Sequence, residues 1–140
     1  MRIKSIYFLL ILVIASCSYI RPEQSNFYLV KVGGSRAEFK QLANGLAKQL
    51  NADAKFQTSQ WDSSNYTDTF TIKTEFVNIS MSNALRSCIR SLDNSVYSVF
   101  VSVYARSSGS EADIRHHEAV VKGFVRKRNW MYVTEEHCNS

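Results

Sequence analysis

Three adjacent residues, His116, His117 and Glu118, form a cluster of metal-ligating types in this 140-residue chain. Residues 114–126 read as a strand with polar residues interspersed. Alternate strand residues share a face, so His116 and Glu118 would point one way and His117 the other. Two side chains fall short of the three protein ligands that a zinc centre uses. The third histidine, His137, sits in a polar tail. The cluster therefore reads as strand surface, and no metal or cofactor is expected. Cys88 lies on an apolar helical stripe with Leu85, Ile89 and Leu92, where a thiol is buried or bridged rather than poised as a nucleophile. No serine occupies a G-x-S-x-G elbow. The turn Val32-Gly33-Gly34-Ser35 has the outline of a phosphate-holding loop but lacks G-x-G-x-x-G and G-K-[ST]. These residues point away from catalysis. A small enzyme using His116 and Glu118 remains as the last alternative.

A second group suits binding better. Lys122, Arg126, Lys127 and Arg128 are followed by Trp130 and Tyr132. Arg, Trp and Tyr are the residue types that dominate interface energetics. If residues 114–126 and 130–134 are strands, this group sits on a basic-aromatic hairpin. Its bland counterpart is a solvated hairpin whose aromatics pack inward. Trp61 and Tyr66, around the turn at Asp62, offer a second recognition loop.

The start of the chain bears on location. Arg2 and Lys4 precede a ten-residue apolar run, residues 6–15, and small residues lead to Cys17. A basic start, a short apolar core and small residues make a secretory signal. The run is too short for a transmembrane helix, which needs about 20 residues. Ile14-Ala15-Ser16-Cys17 also resembles the lipobox of bacterial lipoproteins. That resemblance covers residues 1–17 alone. It implies removal of residues 1–16 and lipid attachment at Cys17. The lipoprotein sorting rule retains proteins with Asp after the cysteine in the inner membrane, so Ser18 favours the periplasmic face of the outer membrane. Two or more acyl chains give stable anchoring where one does not.

Residues 1–16 carry two of the 17 basic residues, which leaves 15 basic against 12 acidic and a net charge of +3. Such a charge suits anionic surroundings such as lipid phosphates or peptidoglycan carboxylates. It is too weak to argue for nucleic acid. Cys88 and Cys138 form an even pair, read as one disulfide in an oxidising compartment. Closing that loop would stabilise by roughly 4 kcal/mol in the chain-entropy model. The alternative is a buried thiol at Cys88 and a loose Cys138.

The elements that must position these groups follow from periodicity. Residues 17–26 are polar, hold the only proline and read as a tether. Residues 27–140 then form one domain. Residues 27–32 are β-rich. Ser35-Arg36-Ala37-Glu38 has the form of a capping box. Phe39, Leu42, Ala43, Leu46 and Leu50 follow at helical spacing, with Gly45 suggesting a close crossing. Residues 54–61 read as a strand. Residues 69–81 read as one strand whose phase switch at Phe76-Val77 implies a bulge. Residues 82–93 read as a short helix, and 96–105 as a central strand apolar on both faces. The fold class is α+β: a mostly antiparallel sheet with two helices on one face, in a ferredoxin-like β-α-β-β-α-β-β order. The expected role is binding of another envelope protein. It would serve as an immunity or inhibitor protein against a toxin or wall hydrolase, or as an accessory subunit. The alternative is a binder of peptidoglycan or anionic lipid.

Overall fold

The computed structural model describes residues 24–60, 66–83 and 96–139. In chain order these form β1 (Gln24–Val32), α1 (Arg36–Gln49), β2 (Asp53–Gln60), β3 (Tyr66–Lys73), β4 (Val77–Ser82), β5 (Val96–Ala105), α2 (Glu111–Arg126), β6 (Met131–Thr134) and a short α3 (Glu135–Asn139). The six strands make one sheet in the order β2-β3-β4-β5-β1-β6, every neighbouring pair antiparallel. The fold is α+β, with two main helices on one face. Phe27, Leu29, Ile72, Ile79, Met81, Val99, Val101 and Val103 from the sheet share one buried core with Phe39, Leu42 and Leu46 of α1 and Ile114, Val121 and Val125 of α2.

The α1 expectation holds in detail. The Ser35 side chain accepts from the Glu38 amide while the Glu38 carboxylate accepts from the Ser35 amide, a reciprocal capping box. Gly45 marks the helix crossing: a Cβ there would meet the Phe124 ring at 3.0 Å.

Several boundaries differ from the sequence expectation. The strand expected over 114–126 is the helix α2, and this is the main correction. The signal was present. Ser110 and Asp113 form a second capping box, and Ile114, Val121 and Val125 recur on one helical face. The unbroken polar run Arg115-His116-His117-Glu118 hides the helical period over that short stretch only. The bulge expected within 69–81 is a hairpin turn between β3 and β4. Thr74 closes it, its amide and hydroxyl both donating to the Val77 carbonyl. β1 starts at Gln24, inside the stretch read as a tether. The polar tail after Glu135 contains α3. The helix expected over 82–93 lies outside the described residues beyond Asn83; among the described residues the second main helix on the sheet face is α2. The expected β-α-β-β-α-β-β order is not confirmed: among the described residues β2, β3, β4 and β5 fall between α1 and α2, and the segment 114–126 is a helix.

Strand directions follow from the pairing. β1, β2 and β4 run one way; β3, β5 and β6 run the other. One end of the sheet therefore collects the ends of β1, β2 and β4, the starts of β3, β5 and β6, the N-terminus of α1 and the C-terminus of α2. At the opposite end the loop after β5 closes on the β3–β4 turn. There the Arg106 amide donates to the Phe76 carbonyl, and its guanidinium donates to the Thr74 carbonyl at 2.6 Å. A Cβ on Gly109 would overlap the Phe76 carbonyl oxygen. Gly109→Ala is therefore expected to cost about 2 kcal/mol, read as a lower denaturant midpoint with an unchanged slope.

Candidate functional site

The collecting end of the sheet holds the one buried charged side chain among the described residues. Asp68, on β3, is fully buried. Arg36, the first residue of α1, reaches it with two donors: Nε to Oδ2 at 2.5 Å and Nη2 to Oδ1 at 2.8 Å. The Thr58 hydroxyl donates to Oδ1 at 2.8 Å. The Asp68 amide donates to the Asn83 side chain, which in turn donates to the Tyr97 hydroxyl at 2.8 Å. The Arg36 guanidinium also lies 4.2 Å from the centre of the Tyr66 ring. Burial alone would raise the Asp68 carboxyl. The hydrogen bonds from Arg36 and Thr58, with the nearby cationic charge, outweigh it and hold the group below its ordinary value. Burial pushes Tyr97 up to about 12, so its hydroxyl stays protonated. The network fastens the start of α1 to β2, β3, β4 and β5.

Beside it lies a groove of about 850 Å³, lined by the end of β1, the end of α2, the turn after it and the start of β6. Its origin is a mismatch of strand lengths. β1 pairs with β5 along all nine of its residues but with β6 only over Phe27–Val30. Lys31 and Val32 thus run past the start of β6 without a strand on that side. Val32 and Met131 are the exposed apolar residues here, at 72% and 57%. Lys31, Lys122 and Arg126 line the same groove. Lys31 pairs with Glu38 at 3.4 Å and leans over the Trp130 ring. Lys122 pairs with Glu118 at 3.0 Å and sits 4.1 Å from the centre of the Tyr132 ring. Arg126 is exposed and forms no ion pair among the described residues.

Of the residues expected to form a basic-aromatic hairpin, Lys122, Arg126, Trp130 and Tyr132 meet in this groove. They do so on a helix, a turn and a strand rather than on two strands. Trp130 is 5% exposed and belongs to the core. Lys127 and Arg128 do not line the groove. Arg128 folds back on its own helix, over the Phe124 ring and onto the Phe124 carbonyl at 3.1 Å. Lys31, Val32, Asn129 and Met131 were missed. Only the β1–β6 register joins them to the site, and no local pattern encodes that register.

The His116–Glu118 pair does not assemble. Two residues apart on a helix point to nearly opposite sides. Glu118 faces β1 and β6, accepting from the Ser25 hydroxyl at 2.7 Å and from the Tyr132 hydroxyl at 3.1 Å. Burial would raise the Glu118 carboxyl, but the bonds from Ser25 and Lys122 hold it below its ordinary value. It fastens α2 to the sheet. His116 is exposed, and His117 donates to the Asp113 carbonyl at 2.7 Å. Among the described residues no three metal-ligating side chains converge, and no helix is long and apolar enough to cross a membrane. Cys17, Trp61 and Cys88 lie outside the described residues. Cys138, on α3, is fully buried against Tyr28 and Val30 on the far face of the sheet. Tyr66 is partly exposed beside Arg36.

No protein-family model matches the chain, and no curated protein matches it either.

A pH dependence follows from Asp68. Its folded-state pKa is depressed, so its stabilisation is present above the ordinary carboxylate range and is lost as pH falls through the lowered value. At neutral pH, Asp68→Asn is expected to cost about 3 kcal/mol, because Arg36 loses its buried partner. In chemical denaturation repeated across pH, the difference between wild type and variant should shrink below about pH 4.

Proposed function

We propose that this chain is a lipid-anchored protein of the bacterial envelope that binds another protein through the groove between α2 and β6. The observation that carries this reading is the combination found there. Two exposed apolar side chains, Val32 and Met131, and the cations Lys31, Lys122 and Arg126 line one groove at the sheet edge. Exposed apolar side chains next to charged ones are the usual make-up of a protein interface. Attachment through Cys17 would hold the domain at a membrane and raise its local concentration toward a partner there. Within this class, an immunity or inhibitor protein and an accessory subunit of an envelope complex both suit a small binding domain. The expected Cys88–Cys138 bridge is kept in this proposal. Burial of Cys138 supports it, since a bridge at that point would hold α3 on the sheet.

Peptidoglycan or anionic lipid is the second reading, and the three cations favour it. Exposed Met131 and Val32 would be idle against a polar polymer, which is why a protein is preferred.

Two variants test the proposal. Cys17→Ser should abolish incorporation of labelled palmitate and move the chain from the membrane pellet to the soluble fraction. Met131→Glu combined with Arg126→Glu should leave the thermal midpoint within a few degrees, because both residues are exposed. It should remove a stoichiometric partner that wild type retains on affinity purification from detergent-solubilised envelopes. Retention of that partner by the folded double variant would place binding elsewhere.

A further inference from the structure

We infer that the groove and the adjoining outer edge of β6 take an extended, acidic segment of the partner that adds a strand to that edge, with acidic and apolar residues alternating along it. The inference rests on the proposed function and specifies the partner's chemistry at the same site. β6 is the terminal strand of the sheet and pairs only with β1 among the described residues. A segment laid along such an edge gains main-chain hydrogen bonds, while alternate side chains supply specificity.

The two faces of this edge differ in chemistry. Tyr132 faces the helix side of the sheet, where it meets Phe27 at 4.9 Å between ring centres and carries Lys122 over its ring. Met131 faces the far side next to Val30. An added strand would therefore direct every second side chain toward Lys122 and Arg126, and the intervening ones toward Met131. Spacing supports the match. Lys122 and Arg126 are one helical turn apart, about 6 Å along the axis at 1.5 Å per residue. Residues i and i+2 of a strand stand about 6.6 Å apart on one face. Of two carboxylates at i and i+2, one can thus meet Arg126, which has no ion pair among the described residues, while the other reaches Lys122 beside its partner Glu118. The opposite edge, β2, offers eight exposed residues including Lys55, with Lys40 over Phe56, but there the cation one helical turn before Lys40, Arg36, is held by the buried Asp68.

The test uses the full chain with isotope-labelled amides and a synthetic probe, acetyl-Glu-Val-Glu-Val-Glu-Val-amide. Controls are the Lys-Val counterpart, a block peptide with three Glu followed by three Val, and vesicles containing phosphatidylglycerol. Titration with the alternating peptide should shift the amides of Lys31, Val32, Arg126 and Met131–Thr134 and slow hydrogen exchange at β6. The two control peptides should bind about tenfold more weakly. Arg126→Ala should weaken the alternating peptide by a similar factor, with the far edge at β2 unperturbed. Equal binding of the block peptide, or shifts centred on β2, would overturn strand addition at β6. So would a failure to shift these amides at millimolar peptide. If vesicles instead shift the groove amides, the groove is a binding site but its occupant is lipid. If the groove amides fail to respond and the Arg126→Glu, Met131→Glu double variant also keeps its cellular partner, the reading of the groove itself falls.

Discussion

The register between β1 and β6 is the constraint on which the rest of the site depends. β5 and β6 run in the same direction with β1 between them, and α2 crosses over to connect them. That arrangement buries Phe27 and Leu29 completely beneath the helices. It also fixes where β6 begins, because Met131 pairs with Val30 and the chain before it is tied back to α2 by the Trp130 amide on the Val125 carbonyl. β1 continues for two residues past that point. A sheet with matched strand ends would have no groove here. A one-residue shift of β6 would turn Met131 and Tyr132 to opposite faces, which would break the pairing of aromatic ring, cation and carboxylate under α2.

Two polar clamps hold the elements around that register. Glu118 joins α2 to β1 through Ser25 and to β6 through Tyr132, with Lys122 balancing its charge. Arg36 and Asp68 join the start of α1 to the strands on the other side. Both clamps are saturated with partners, which is the condition under which half-buried and buried charges are tolerated. Their carboxyls lie below their ordinary values and stay ionised at neutral pH. A carboxylate engaged in this way positions structure and is poorly placed to move protons. The chemistry left exposed on the groove is cationic and apolar, which suits recognition.

The sequence carried the fold class and α1 clearly, because Ser35, Glu38 and the Phe39-Leu42-Leu46 stripe agree at every level. The central strand β5 was equally legible from its apolar faces. Residues 114–126 read as a strand with interspersed polar residues because the run Arg115-His116-His117-Glu118 interrupts the apolar helical period after Ile114. The Ser110–Asp113 capping box and the longer Ile114-Val121-Val125 period were the better guide. The correction matters for the site. On a helix, Lys122 and Arg126 fall one turn apart on the side facing β6, whereas Arg128 turns back toward Phe124. Of the six basic and aromatic residues singled out by their clustering in the sequence, four line the groove. Lys31 and Val32 were not singled out, since strand pairing across about a hundred residues of chain brings them there, and Met131 carries no basic or aromatic signal although it lies between Trp130 and Tyr132.

Site-specific photocrosslinking in intact cells addresses the central claim most directly. A photoreactive residue at Met131 is compared with one at Phe56 on the opposite sheet edge, each in the full chain with its signal retained. The account expects Met131 to capture one envelope protein through an acidic, extended segment, and Phe56 to capture none. Capture of the same protein from Phe56 alone, or only lipid from Met131, would contradict it.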